Sequence, residues 1–354
     1  MDYLIVVFKC FLLSFLLVKI STYPVMKNSL LAVIVLYTGQ LYAQTASKPP
    51  EGVIERISPE LDAIITVTAK VEVIADGFGW VEGPLWIESQ KMLLVSDVLN
   101  NNVYKWTAEK GKELYLAHSG YTQKIPRAEE LGSNGLALSK GGRLLLCQHG
   151  DRRVALMNAS LDHPKADYTT LASEYKGKKF DSPNDLAIRK NGDIYFTDPP
   201  YGLEKGVKNP SKAAPYQGVY RISKKGIVTL LTDSISRPNG IAFFPNEKSL
   251  LVANSDPQKP NIYIYDVTKE GLLSNGRIFI KERSTDGIKI DKEGNVFATG
   301  QGGVRIYNKK GHLLGKIKIN GSTSNCAFTN DYKTLFVTAD DYLLKVDFGK
   351  KAGL

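Results

Sequence analysis

The sequence predicts an all-β fold in which one four-stranded unit is repeated around a closed ring. Three observations predict it. Six short segments align along the chain at steps of 52, 50, 55, 47 and 39 residues, and a period near 50 with several strands per period marks a repeat architecture. Gly (31) and Tyr (18) are frequent among the 354 residues, a composition that suits short strands and tight turns. Residues 63–348 sustain no helical period.

The N-terminus reads as a targeting segment. Leu4 to Ile20 is apolar but interrupted by Lys9 and Lys19. After Met26, a basic Lys27 precedes an apolar run from Leu30 to Tyr37 and then Leu41-Tyr42-Ala43. A basic start, a short apolar run and a small residue at the cut are the layout of a signal peptide. The run is too short to cross a bilayer. Residues 1–43 are therefore read as a signal peptide, with Met26 as the true start. A membrane anchor over Leu4 to Ile20 is the rival reading. Residues 44–62 form a polar linker leading into the repeats, which occupy 63–350. This layout predicts a secreted or periplasmic protein whose mature chain has no stable membrane span.

The strand Lys70 to Ile74 stands alone ahead of the repeats. The six aligned segments follow: Glu82-Gly-Pro-Leu-Trp86, Asn134-Gly-Leu-Ala-Leu138, Asn184-Asp-Leu-Ala-Ile188, Asn239-Gly-Ile-Ala-Phe243, Asp286-Gly-Ile-Lys-Ile290 and Asn325-Cys-Ala-Phe328. A turn such as Lys140-Gly-Gly142 or Lys190-Asn-Gly192 ends most of them. An apolar strand comes next: Leu93 to Val95, Leu144 to Cys147, Ile194 to Thr197, Leu250 to Ala253, Val296 to Thr299 and Leu335 to Thr338. Third strands follow, for example Val103 to Trp106, Gly218 to Ile222 and Leu343 to Val346, and a fourth is visible in several units, as at Ile227 to Leu231. Four antiparallel strands per unit and six units predict a six-bladed β-propeller. The last unit has only three strands before the C-terminus. Lys70 to Ile74 is expected to supply its outer strand and close the ring, which leaves no sheet edge exposed.

Composition excludes several classes of function. The net charge is +10 and is not gathered into basic blocks, so nucleic acid is not an expected partner. Three cysteines (Cys10, Cys147 and Cys326) make neither a disulfide framework nor a four-cysteine zinc site. The histidines His118, His149, His163 and His312 lie far apart, with no HExxH. There is no GxSxG and no Walker A motif, and Gly77-Phe-Gly79-Trp-Val-Glu-Gly83 is one residue too long for a dinucleotide fingerprint.

The repeat itself carries the chemistry. In a propeller the first strand of each unit is innermost. Each segment opens on a carboxylate or a carboxamide: Glu82, Asn134, Asn184, Asn239, Asp286 and Asn325. Asn or Asp before Gly is commonly a turn residue. Six copies in register, with Glu and Asp substituted among them, favour oxygens converging on the axis instead. Oxygen-only donors of low net charge suit a hard cation, Ca²⁺ before Mg²⁺ or Zn²⁺. Other residues carry weaker signals. His149 ends a strand, as a substrate contact or a hydrogen-bonded structural group. Asp198 is a turn residue or a pocket acceptor. Cys326 is expected in the core, as are Phe78, Trp80 and Trp86 beside the Glu82 motif, with a pocket wall as the alternative for Trp80.

Glu82-Gly-Pro-Leu-Trp86 with Ser96-Asp97, Ser182-Pro-Asn-Asp185, Arg237-Pro-Asn-Gly240 and Asp286-Gly287 resemble the senescence marker protein/gluconolactonase family. The resemblance runs over about residues 75–345. It implies a six-bladed propeller with a divalent metal, usually calcium, in the central channel, and hydrolysis of sugar lactones. Carried over motif by motif, the implied metal ligands are Glu82, Asn184, Asn239 and Asp286. Ser182 stands where sugar-lactone members often carry Arg.

The expected activity is calcium-dependent opening of a lactone or related ester. Asp286 is the candidate catalytic group, as general base or as nucleophile. Asn134, Asn184, Asp185, His149 and Asn325 are candidate substrate contacts. A phosphotriesterase on the same metal site and a non-catalytic binding scaffold are the alternatives.

Overall fold

The computed structural model describes residues 50–349, apart from 126, 128, 129, 282 and 283. The expected signal peptide and the first residues of the linker lie outside the described residues. The described chain is all-β, with only three short 3₁₀ turns. No helix among the described residues is long and apolar enough to cross a membrane.

Antiparallel four-stranded sheets follow one another along the sequence. The first holds Val81–Ile87, Met92–Asp97, Asn102–Thr107 and Gly111–Ala117. The second starts with Ser133–Leu138, the third with Leu186–Ile188 and the fourth with Pro238–Phe243, each in simple meander order. Apart from a two-stranded ribbon of Glu174–Tyr175 and Lys178–Lys179, the remaining strands are joined because Leu313–Phe328 runs unbroken for 16 residues. Its first half pairs with Gln301–Tyr307 and its second half with Thr334–Ala339. One strand therefore serves as the last of one group and the first of the next, a continuity that the spacing of the sequence motifs did not indicate.

Two N-terminal strands complete these groups. Lys70–Ala75 pairs antiparallel with Tyr342–Asp347, Lys70 opposite Asp347. Gly52–Arg56, within the segment expected to be a linker, pairs instead with Leu313–Phe328, Gly52 opposite Ile319. Arg56 ties this strand down, donating to the carbonyls of Ile65 (3.0 Å) and Thr66 (2.6 Å) and pairing with Asp62.

The second strand of each group is buried on both faces, which explains its continuous apolar run. Leu94 packs toward Leu144 and Leu146 of the next sheet, while Leu93 and Val95 face Phe336 and Leu343. Leu145 and Cys147 meet Phe180, Phe196 and Tyr220. Leu250 and Val252 meet Tyr195 and Val219, and Leu251 and Ala253 meet Ile288 and Val296. Cys326 lies in the last of these cores as a free, buried thiol. Alternation along a strand thus feeds two neighbouring cores.

The first strands approach one another closely. Val81–Ile87 touches Ser133–Leu138, which touches Leu186–Ile188; the contacts continue through Pro238–Phe243 and Ile288–Ile290 to Leu313–Phe328, which touches Val81–Ile87. Backbone bonds link the aligned segments. Gly135 N–H donates to Asn184 O (2.7 Å), Gly240 N–H to Asp286 O (2.7 Å) and Gly287 N–H to Ser324 O (2.8 Å). Only glycine fits at the tightest point. A Cβ on Gly83 would sit 1.9 Å from Asn134 O, and its φ is +52°. The Asn-Gly and Glu-Gly pairs are therefore packing devices within or beside strands, and the glycine marks a close approach rather than a turn.

Gly83→Ala is expected to lower stability by ~1–3 kcal/mol for overpacking on top of ~1–2 kcal/mol for a left-handed backbone. Gly142→Ala isolates the backbone cost, because Gly142 has φ +74° and open space around it. Urea unfolding of the two variants checks this: equal losses would remove the close-approach argument.

Candidate active site

The segments that open each unit deliver their first residues to one place. Glu82, Asn134, Asn184, Asn239 and Asp286 line a single cavity of about 280 Å³, together with Trp80, Tyr201 and Ser255. Glu82, Asn134 and Asn239 lie in strands, whereas Asn184 and Asp286 sit two residues before theirs. The sixth residue of the series, Asn325, does not line this cavity.

A recurrent clamp explains how the loops ahead of these residues are held. The residue at the end of the second strand reaches back to the loop before the first strand of its own sheet. Asp97 accepts from Gly79 N–H at 3.1 Å. Asp198 accepts from Asp181 and Ser182 N–H at 2.9 and 2.7 Å. Asn254 accepts from Arg237 N–H at 3.0 Å. Asp340, one residue past Thr334–Ala339, accepts similarly from Ser322 N–H at 3.1 Å, though Ser322 lies within the long strand Leu313–Phe328. Asp198 is therefore a loop clamp rather than a pocket group. Burial and the nearby Asp181 charge push its carboxyl up to about 8.

The electrostatics of the cavity are one-sided. Glu82, Asp286 and Glu130 line it, and among the described residues no Lys, Arg or His does. Burial, followed by the charge of Asp286, holds the Glu82 carboxyl well above its usual range, against one hydrogen bond from Gly83 N–H at 3.2 Å. Burial and then the Glu130 charge push Asp286 up to about 8, offset by a hydrogen bond from Asn239. Asn239 Nδ2 donates to Ser255 Oγ at 3.3 Å, and Ser255 Oγ contacts the Tyr201 hydroxyl at 2.5 Å. Asn134 Oδ1 is buried without a hydrogen-bond partner. Mutually repelling carboxylates beside carbonyl oxygens, one of them orphaned, fit a hard cation. Among the described residues no group of three His, Cys, Asp or Glu could hold a metal, so amide oxygens would have to complete the shell.

Three predicted substrate contacts lie elsewhere. Asp185 and Asn325 do not line the cavity; they meet around Lys289. Lys289 Nζ donates to Asn325 Oδ1 at 3.0 Å and lies 3.6 Å from Asp185 Oδ2, and Asn325 Nδ2 reaches Asp185 Oδ2 at 3.4 Å. Each thus satisfies a buried neighbour. His149 is fully buried, with Nδ1 3.1 Å from Glu130 Oε2. Glu130 was not foreseen, because it lies in a loop outside the repeat. Tyr201 and Ser255 were also missed, although each follows the end of a second strand closely.

Comparison with known proteins places this site in a family. The SMP-30/Gluconolactonase/LRE-like region matches residues 80–341. The gluconolactonase of Zymomonas mobilis is 38% identical over 309 residues, covering 83% of this chain and 86% of that protein. The lactonase drp35 of Staphylococcus saprophyticus is 25% identical over 293 residues, covering 78% and 81%. A solved gluconolactonase from Xanthomonas campestris superposes with a TM-score of 0.72 at 28% identity, covering 85% of this chain and 95% of the other. Glu82, Asn184, Asn239 and Asp286 all fall inside the matched region, and the chain belongs to the SMP-30/gluconolactonase/LRE-like family.

Proposed function

We propose that this protein is a calcium-dependent lactonase that opens a lactone by water attack at the acyl carbon. The observation that carries the reading is the convergence of Glu82, Asn184, Asn239 and Asp286 on one cavity that no Lys, Arg or His lines among the described residues. Similarity to a gluconolactonase over most of both chains supports the reaction class. The fold is read as a six-bladed propeller, with Lys70–Ala75 as the outer strand of the last blade. The cyclic contacts among first strands and the pairing of Lys70–Ala75 with Tyr342–Asp347 support this reading.

Glu82, Asn184, Asn239 and Asp286 would hold the cation. A bound Ca²⁺ supplies Lewis-acid polarisation of the acyl carbonyl and charge for the developing oxyanion. Asp286 accepts the proton of the attacking water at its carboxylate. The water oxygen bonds to the carbonyl carbon, the ring C–O bond breaks, and the proton passes to the leaving alkoxide. Asn239 and Ser255 hold Asp286 and its neighbours in place. The product is a hydroxy acid.

Glu82→Gln and Asp286→Asn each remove one of two anionic donors. Each should weaken Ca²⁺ binding about tenfold or more, since charge count sets affinity at such sites. Unchanged affinity of both in calorimetric titration would remove them from the site. At saturating Ca²⁺ with occupancy measured directly, Asp286→Asn should still lose about 10²–10⁴ in kcat, the usual cost of losing a general base. A rate within a few-fold of wild type at full occupancy would rule out Asp286 as the base.

A further inference from the structure

Among the described residues, Glu130 is the cavity carboxylate that opens none of the aligned segments. Its loop leads into Ser133–Leu138. Its side chain is 30% exposed, whereas the His149 imidazole behind it is completely buried. His149 Nδ1 lies 3.1 Å from Glu130 Oε2, off the ideal hydrogen-bond angle, and neither ring nitrogen has another partner. A buried imidazole without other partners is costly unless it pairs. The ring is fixed from the other side, because a Cβ on Gly202 would lie 2.9 Å from His149 Cγ. Arg127, three residues before Glu130, donates from its guanidinium to Gly150 O at 3.0 Å and also bonds Gly202 O. The imidazole is thus a rigid backing, and the carboxylate is the part left facing the cavity.

What such a group can bind follows from its valence. An ionised carboxylate only accepts hydrogen bonds, so its ligand must donate. The cavity wall around it offers acid and amide groups and no cation among the described residues, so anionic ligands are disfavoured. A neutral ring bearing hydroxyl groups meets both conditions, and Trp80 and Tyr201 offer it aromatic surface. We propose that Glu130, positioned by His149, is a specificity-determining residue that accepts hydrogen bonds from hydroxyl groups of an uncharged polyhydroxylated lactone. The proposal rests on the lactonase reading for its substrate but assigns a separate task, recognition rather than proton transfer. A site built to bond a hydroxyl discriminates strongly against the analogue that lacks it.

The test compares glucono-δ-lactone with δ-valerolactone, a lactone of the same ring size without hydroxyls. In Glu130→Ala and Glu130→Gln, kcat/KM on glucono-δ-lactone should fall roughly 10–100-fold, the worth of a charge-assisted hydrogen bond, mainly through KM. On δ-valerolactone both variants should stay within about threefold of wild type, a margin well below one such bond. His149→Asn should show the same selective rise in KM to a smaller extent, with kcat on δ-valerolactone unchanged. Ca²⁺ affinity should match wild type in all three. Equal losses on both lactones, no loss on either, or a loss of Ca²⁺ affinity would each overturn the proposal. Calorimetry with 1,5-anhydro-D-glucitol, a ring polyol that cannot be hydrolysed, separates the two readings. If wild type opens no lactone yet binds this polyol in a Glu130-dependent way, the reaction fails and the recognition stands. No binding by wild type in that case overturns the recognition as well.

Discussion

The close approach of the first strands is the constraint on which the rest depends. At Gly83 the neighbouring carbonyl of Asn134 occupies the space a side chain would need. Where Gly135, Gly240 and Gly287 donate to the next segment, the strands are locked at hydrogen-bonding distance. This packing carries Glu82, Asn134, Asn239 and Asp286, each followed by such a glycine, to the cavity. A larger residue after Glu82 would push the first strands apart and separate the carboxylates from the amides. Site geometry and backbone packing are therefore one property of the repeat.

The same convergence creates an electrostatic problem. Glu82 and Asp286 share a cavity with Glu130; burial holds both carboxyls above the ordinary range, helped by the charge of Asp286 at Glu82 and of Glu130 at Asp286. Burying like charges together costs stability unless something compensates them. Local hydrogen bonds do part of this, from Gly83 to Glu82 and from Asn239 to Asp286. Elsewhere the chain solves the same problem internally, since Lys289 stands between Asp185 and Asn325. The two sites contrast usefully. At Lys289 the polar groups are satisfied and structural; no such cation lines the cavity among the described residues, and Asn134 Oδ1 there is buried without a hydrogen-bond partner.

The loops ahead of the axial residues are stabilised by a device repeated in several sheets. Asp97, Asp198 and Asn254 each cap backbone N–H groups of the loop ahead of the first strand, and Asp340 caps Ser322 within Leu313–Phe328. A short polar side chain at a strand end reaches such donors without disturbing the sheet. The clamps restrict the segments that carry Trp80 and Asn184, which favours a pre-organised pocket over one assembled by the substrate.

The sequence by itself determined the all-β class, the repeat, and most of the axial oxygen set. The reason is that these features are local or periodic. Glycine after Glu82, Asn134, Asn239 and Asp286 recurs because each faces the same packing demand, and period makes that demand visible. The continuous apolar second strands were legible for the same reason. Tertiary structure alone decided the remainder. That Asn325 and Asp185 meet Lys289 rather than line the cavity depends on a lysine 36 residues from the one and more than 100 from the other in sequence. That Gly52–Arg56 is a strand depends on the exposed edge of Leu313–Phe328. Glu130 and His149 lie outside the repeated pattern, and neither has a local signature. Only the folding of the loop before Ser133 against the end of the strand Leu144–Gln148 brings the carboxylate and the imidazole within 3.1 Å of each other.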